Sequence, residues 1–389
     1  MASPSSQKSK LGTFLIAAVA LIALPLVAQY FGNAWVRIID ISLLYVLLAL
    51  GLNIVVGYAG LLDLGYVAFY AVGAYIFGLL ASPHLTEEFP AINAMFPGGL
   101  HMPWWLMLPI GAAVAGLAGV LLGAPTLKLR GDYLAIVTLG FGEIIRVFMN
   151  NLDAPVNITN GPKGLSQIDD FTVFGFPLSK THTVLGIDLP AVTNHYFVFL
   201  VMVIFSVVVC YRLEQSRIGR AWMAIREDEI AAKAMGINTR NMKLLAFGMG
   251  ATFGGMSGVL FASFQGFISP ESFSLSESVM IVAMVVLGGI GHLPGVILGA
   301  LLLAALPEVL RYVAGPLQEM TGGRLDAAIL RQLLVALAMI GVMLSRPRGL
   351  WPSPEHGKVE QVPDHAANLH PSPPEQIPPT VSHIVPTTE

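Results

Sequence analysis

The sequence predicts an all-α, polytopic bundle of about ten membrane-spanning helices, and three observations carry that expectation. The 389 residues are 55% hydrophobic and only 12% charged, against roughly a quarter charged in an ordinary soluble domain. Apolar runs long enough to cross a bilayer recur along the chain, separated by short polar or glycine-rich turns. Lys and Arg are unevenly spread, with seven of the 21 falling in the single stretch 212–243. Forty glycines suit helices that approach closely in lipid. The single cysteine, Cys210, excludes an internal disulfide and a cysteine-based metal cluster. The net charge of −3 says little, because sidedness of charge matters more than its sum in a membrane protein.

Taken in order, Lys8 and Lys10 precede an apolar run over 11–28. That run is long for the core of a signal peptide and no small-x-small cleavage site follows, so it reads as a first span entered from inside, with Pro25 as a kink near its outer end. The second and third runs, 36–56 and 62–81, are separated only by Gly57-Tyr58-Ala59-Gly60 and form a tight hairpin. Residues 83–103 are proline-rich and acidic (Glu87, Glu88) without Lys or Arg, as an outside loop should be. A fourth span covers 104–123 with Trp104 and Trp105 as interface anchors, and Lys128 and Arg130 mark the return inside. The fifth, 133–150, contains Gly140, Gly142, Glu143 and Arg146. Polar residues 151–194 form a long outside segment with structure of its own, and the sixth span is 195–211.

Beyond the charged stretch come a seventh span, 244–264, an outside turn with Gln265, Pro270 and Glu271, and a short eighth span, 276–288. The turn GGIGHLPG leads to the ninth, 293–310. A connection containing Gly315, Pro316, Gly322 and Gly323 leads to the tenth, 327–344, with Arg346 and Arg348 behind it. With both termini inside, fourteen of the 21 Lys and Arg lie on inside segments and five outside. The inverted topology breaks the positive-inside rule. Ten spans taken as two sets of five, with the second to fifth and the seventh to tenth running in opposite senses, make an inverted 5+5 repeat, a common transporter plan. Its only echo in sequence is between glycine-rich runs such as GYAGLLDLGYVAF and LGGIGHLPGVILG. Residues 1–351 are therefore the transmembrane domain. The tail 352–389, with nine prolines and four histidines, cannot bury a core and is expected to be disordered in the cytoplasm.

The chemistry begins with absences. The chain has no G-x-x-x-x-G-K-[ST] phosphate loop, no histidine-rich zinc motif and no G-x-S-x-G. A non-catalytic subunit with no cofactor or metal of its own, and no nucleic-acid partner, is expected. Ionisable residues at membrane depth are few: Asp63 near the inner end of the third span, Glu143, Arg146, and Glu308 with Arg311. Glu143 and Arg146 are three apart on one helical face, which fits either a structural ion pair or a role in a transport path. Asn53, Thr138 and Gln332 fit either a polar route or helix–helix hydrogen bonding. In the charged stretch, Asp228 and Glu229 open the segment EIAAKAMGIN, with Gly236 placed as its C-terminal cap. The result is a short inside helix with a shallow alanine surface, either merely solvated or clasped by a partner.

The pattern Glu229-x-Ala231-Ala232-x-x-x-Gly236 resembles the EAA-type coupling loop of ABC importer permeases, although Ile230 intervenes and no I-x-L-P follows. Longer passages resemble one family specifically. They are LLALGLNIVVGYAGLLDLGYVAFYAVGAY (47–75), LRGDYLAIVTLGFGEIIR (129–146), SRIGRAWMAIREDEIAAKAMGIN (216–238) and VMIVAMVVLGGIGHLPGVILGA (279–300). Together they resemble the branched-chain amino acid permeases of the LivH/LivM family across nearly all of 36–351. The resemblance implies a type II ABC importer-like permease in a bacterial inner membrane and transport of leucine, isoleucine and valine. It implies a second homologous permease, two cytoplasmic ATPases that use the ATP, and a periplasmic substrate-binding protein facing 83–103 and 151–194. By the same resemblance 212–243 receives the ATPase stroke, with Glu229, Ala231, Ala232 and Gly236 in the coupling motif. Similar permeases carry urea, short amides or other amino acids, and no residue here excludes those. An ion-coupled secondary carrier is the competing class; the scarcity of membrane carboxylates and the long structured loop argue against it.

Overall fold

In lipid every backbone amide must find its partner within the protein, and a helix achieves this within one segment. The computed structural model is accordingly mostly helical. It describes residues 19–97, 99–127, 129, 131–173, 176–184, 187–320, 327–346 and 349–351. Helix α1 is Val19–Phe31. Helix α2, Asn33–Leu52, runs without a break into a π-helical turn, Asn53–Tyr58. Then come α3 (Val67–Leu80), the short α4 (His84–Glu88) and α5 (Pro90–Met95), α6 (Trp104–Thr126) and α7 (Asp132–Asn150). Helix α8 (Ala191–Glu214) leads to two short helices of the charged stretch, α9 (Arg217–Glu227) and α10 (Glu229–Ala234). The chain closes with α11 (Thr239–Gln265), α12 (Leu275–Gly288), α13 (Leu293–Met320) and α14 (Ala327–Ser345).

Six of these segments are long and apolar enough to cross a membrane: Asn33–Tyr58, Trp104–Thr126, Ala191–Glu214, Thr239–Gln265, Pro270–Gly288 and Leu293–Arg311. Helices α1 and α3 and residues Gln332–Ser345 of α14 are apolar but shorter. Helix α7 has the length but carries Asp132, Glu143 and Arg146. The short eighth segment gains length from a 3-10 turn, Pro270–Phe273, that precedes α12. Two boundaries differ from expectation. Helix α3 starts at Val67 rather than 62, because 59–66 leaves the helix as an irregular segment. Helix α13 continues through Gly315 and Pro316, where a connection was expected; helix packing in membranes tolerates such residues. The segment 151–194 holds short antiparallel strand pairs, and one of its strands, Leu165–Ser166, pairs with Phe267–Ile268 just after α11. The tail 352–389 lies outside the described residues.

Helices α2 and α11 form the core. Every residue from Val46 to Tyr58 is buried. Helix α11 packs chiefly on α3 and α6, whereas α2 packs on α8, α12 and α13. Apolar burial gives little driving force between helices in lipid, so close approach must come from missing side chains. A Cβ on Gly73 of α3 would lie 2.1 Å from the Gly255 carbonyl oxygen of α11, and one on Gly255 would lie 2.5 Å from Gly111 O of α6. These three backbones touch directly.

Candidate functional site

The charged stretch folds as two capped helices set against the first turns of α11. Ser216 caps α9 by accepting the Gly219 N–H at 3.1 Å. The buried face of α9 carries Gly219, Trp222 and Ile225, and Trp222 Nε1 donates to Met242 O at 2.7 Å, which roots the helix on α11. Asp228 is extended and caps α10, accepting from Ile230 N at 2.7 Å and Ala231 N at 3.1 Å. At the other end Gly236 has φ +83°, Ile237 N donates to Ala232 O and Gly236 N to Lys233 O. That double bond pattern is the Schellman termination, which a residue without Cβ adopts at least cost.

Glu229 braces this small unit. Its carboxylate lies 2.8 Å from Lys243 Nζ on α11 and 3.0 Å from Lys233 Nζ one turn on. The hydrogen bond from Lys243, helped by Lys233 and opposed by partial burial, holds the carboxyl down at about 2 from an ordinary 4.5. Ala232 is buried at 3% exposure, whereas its neighbour Ala231 is exposed. The motif residues therefore divide: Glu229 and Ala232 hold the helix from its inner side, exposed Gly236 ends it, and Ala231 faces outward. The outward surface also carries Ile230, 71% exposed, and Met235, 84% exposed. Ile230 is the residue that interrupts the EAA-type pattern. An isolated large apolar residue in a charged segment was the signal for it.

Beneath α9 lie two turns. Arg226 Nη1 donates to Gly57 O in the π-helical turn at 2.5 Å. Asn53 Oδ1 accepts the Gly291 N–H, in the turn between α12 and α13, at 2.9 Å. Asp63 is buried, and its Oδ1 accepts Gly65 N–H at 2.8 Å. Leu64 N donates to Thr138 Oγ1 of α7 at 3.0 Å, and Ser278 of α12 donates to Leu64 O at 2.6 Å. Asp63 and Thr138 share a small cavity walled by Phe69, Leu122, Phe141 and Phe247. Glu143 and Arg146 pair with each other at 2.5 Å, and Arg146 reaches Glu271 of the 3-10 turn at 2.9 Å. The polar residues singled out from sequence thus fall in four places: Asn53 at the turn 289–292, Asp63 with Thr138, Glu143 with Arg146 in a partly exposed ion cluster, and Glu308 with Arg311, 3.2 Å apart on α13. Gln332 of α14 is exposed. Arg226, which sequence reasoning counted only as a topological charge, joins the first of these places to the charged stretch.

Residues 34–343 match the family described as branched-chain amino acid transport system / permease component. The chain is 42% identical over 361 residues to the high-affinity branched-chain amino acid transport system permease protein LivM of Escherichia coli K12, covering 90% of this chain and 76% of that one. It is 25% identical to the permease protein LivH of Salmonella typhimurium, covering 85% and 98%. It is 26% identical to BraD of Pseudomonas aeruginosa, covering 81% and 94%. No solved structure matches it. The extent of these matches, together with the buried helical core and the capped charged segment, places the chain in the family of branched-chain amino acid transport permeases.

Proposed function

We propose that this chain is the membrane-spanning permease subunit of an ATP-driven importer of leucine, isoleucine and valine in a bacterial inner membrane. One observation carries the coupling role. Helix α10 is capped at both ends, braced to α11 through Glu229 and Lys243, and still presents Ile230 and Met235 to solvent. A helix so fixed can receive a push and pass it on, and its exposed apolar tip suits a groove on an ATPase. The chain would bind no ATP itself; two cytoplasmic partner subunits would hydrolyse it. A second permease related to LivH would complete the path, and a periplasmic binding protein would deliver substrate to 83–103 and 151–194.

An inverted 5+5 arrangement of ten spans is supported by how the two central helices are shared. Helix α11, the seventh span, packs on α3 and α6 of the first half, while α2, the second span, packs on α12 and α13 of the second. These two helices occupy equivalent places in the two halves, and each packs on the equivalent pair of the other half, as a pseudo-twofold relation requires. Helix α7 exposes Tyr133, Ile136, Ile144, Val147 and Phe148. With Thr138, Glu143 and Arg146 on the same helix, it is the element best suited to meet the second permease and line the path.

Reconstitution tests this reading. Vesicles holding this permease, its homologue, the ATPases and the binding protein should accumulate radiolabelled leucine only with ATP, and should not accumulate urea. Leucine accumulation by vesicles holding this chain alone, without ATP, would overturn it in favour of a secondary carrier.

A further inference from the structure

Three glycines from two distant turns surround one side chain of the coupling segment. Gly57 belongs to the π-helical turn, and a Cβ there would lie 2.8 Å from Gly291 N. A Cβ on Gly60 would lie 2.8 Å from Arg226 Cγ, and a Cβ on Gly291 would lie 2.7 Å from Arg226 Nη1. The bare backbones of Gly60 and Gly291 thus leave room for the stem and the guanidinium of Arg226 respectively, while that of Gly57 lets the two turns approach each other. The guanidinium's bond to Gly57 O has a physical reason as well. In a π turn the amides reach back one residue further, as Ala59 N does to Ile54 O, which leaves carbonyls near the helix end to be satisfied from outside. A cation at that negative end of α2 also complements the helix dipole.

The two turns are themselves joined by Asn53 Oδ1 and Gly291 N. The first turn continues to Leu64, whose N–H is bound to Thr138 of α7 and whose carbonyl is bound to Ser278 of α12. A continuous set of direct contacts thus runs from α9 through Arg226 into both turns and on into α7 and α12. Such a set carries displacement only if its members move as a unit, and here each link is a direct hydrogen bond between a side chain and a backbone atom, from 2.5 Å at Gly57 O to 3.0 Å at Thr138 Oγ1.

We propose that Arg226 is the positioning residue that transmits movement of the coupling helices α9 and α10 into the turns 57–66 and 289–292, and through the first of them into α7. The proposal rests on the permease reading above and names the route by which that site works. Arg suits the role because a planar fork can hold one carbonyl while its flat body lies between two backbones.

The experiment measures ATP hydrolysed per leucine transported in the reconstituted importer, for wild type, R226A and R226K. R226A is expected to keep hydrolysis within about twofold while uptake falls about tenfold, so that the ratio rises, with R226K recovering part of the loss. A purely structural contribution would lower assembly, hydrolysis and uptake together and leave the ratio at its wild-type value; that result, or no change at all, overturns the proposal. If R226A does not assemble, R226M decides, since it keeps an aliphatic stem against Gly60 while removing the group that donates to Gly57 O: a raised ratio supports the relay and an unchanged one overturns it. Wild-type uptake without ATP would instead overturn the importer reading, and the relay with it.

Discussion

The first turn of α11 and its middle are held by opposite chemistry. At Thr239–Lys243 the helix is tied to α10 by charge: Lys243 to Glu229 at 2.8 Å, with Thr239 on the same carboxylate. From Gly248 to Gly258 it is tied to α3 and α6 by the absence of side chains, with glycine and alanine positions facing backbone. A contact between backbones has one geometry and no rotamers, so the middle of α11 behaves as scaffold. An ion pair between long side chains can lengthen, rotate and re-form. One helix therefore joins a seam of direct backbone contacts to a segment held by ion pairs between side chains.

The largest effect should come from breaking the scaffold. Gly73→Leu places its Cβ 2.1 Å from Gly255 O and 2.6 Å from Gly255 Cα, neither of which can yield without separating α3 from α11. A loss of more than about 4 kcal/mol is expected, enough to leave no folded protein. Gly140→Leu on α7, where nothing lies within 4 Å of the new Cβ, is the control and should fold. Size-exclusion profiles of the two in detergent check the contrast; a folded Gly73→Leu would show that the seam is not rigid.

A smaller effect, confined to one end of α11, should follow from Glu229→Gln. The carboxyl sits at about 2 in the folded chain against an ordinary 4.5. Because the folded value is the lower one, the brace contributes its full stability above about pH 4.5 and loses it as pH falls toward 2, a contribution of order 2 kcal/mol. Glu229→Gln should lose that much at neutral pH and show no further loss on acidification. Hydrogen exchange at amides 229–237, corrected for intrinsic rates, checks this; exchange in the variant that still steepens below pH 4.5 would assign the acid sensitivity elsewhere.

This division shows what was legible in the sequence. Span-length apolar runs announced the bundle, because hydropathy reports lipid exposure and core burial alike. The caps of α10 were legible because Asp228 and Gly236 act locally. The start of α3 was not, since the leucines of LLDLGY read on into the helix after it despite Asp63, and the break depends on Gly60 at φ +67° and on bonds between Leu64 and Thr138 and Ser278, both far along the chain. The π turn at Asn53–Tyr58 has no sequence period of its own. Glu229 looked like a docking group because its partner Lys243 lies fourteen residues away across a helix break, beyond the reach of i to i+4 reasoning. Arg226 was hidden for the opposite reason, as one cation among seven.

The smallest effect on the fold, and the sharpest on function, separates two neighbours. Ala231 and Ala232 are equivalent in the motif, but Ala231 is exposed and Ala232 is 3% exposed against the α10 interior face. Ala232→Glu must bury a carboxylate beside Glu229 or release α10 from α11, so it should loosen the segment as Glu229→Gln does. Ala231→Glu adds a solvated charge between Ile230 and Met235 and should change stability by no more than about 0.5 kcal/mol. If the exposed face of α10 is where an ATPase docks, Ala231→Glu should still weaken copurification of the ATPase with the permease, because a charge would then be desolvated at an apolar contact. Thermal unfolding and copurification measured on the same two variants separate holding from docking. Equal ATPase recovery with Ala231→Glu and wild type would mean that the exposed face of α10 is not the surface on which an ATPase docks.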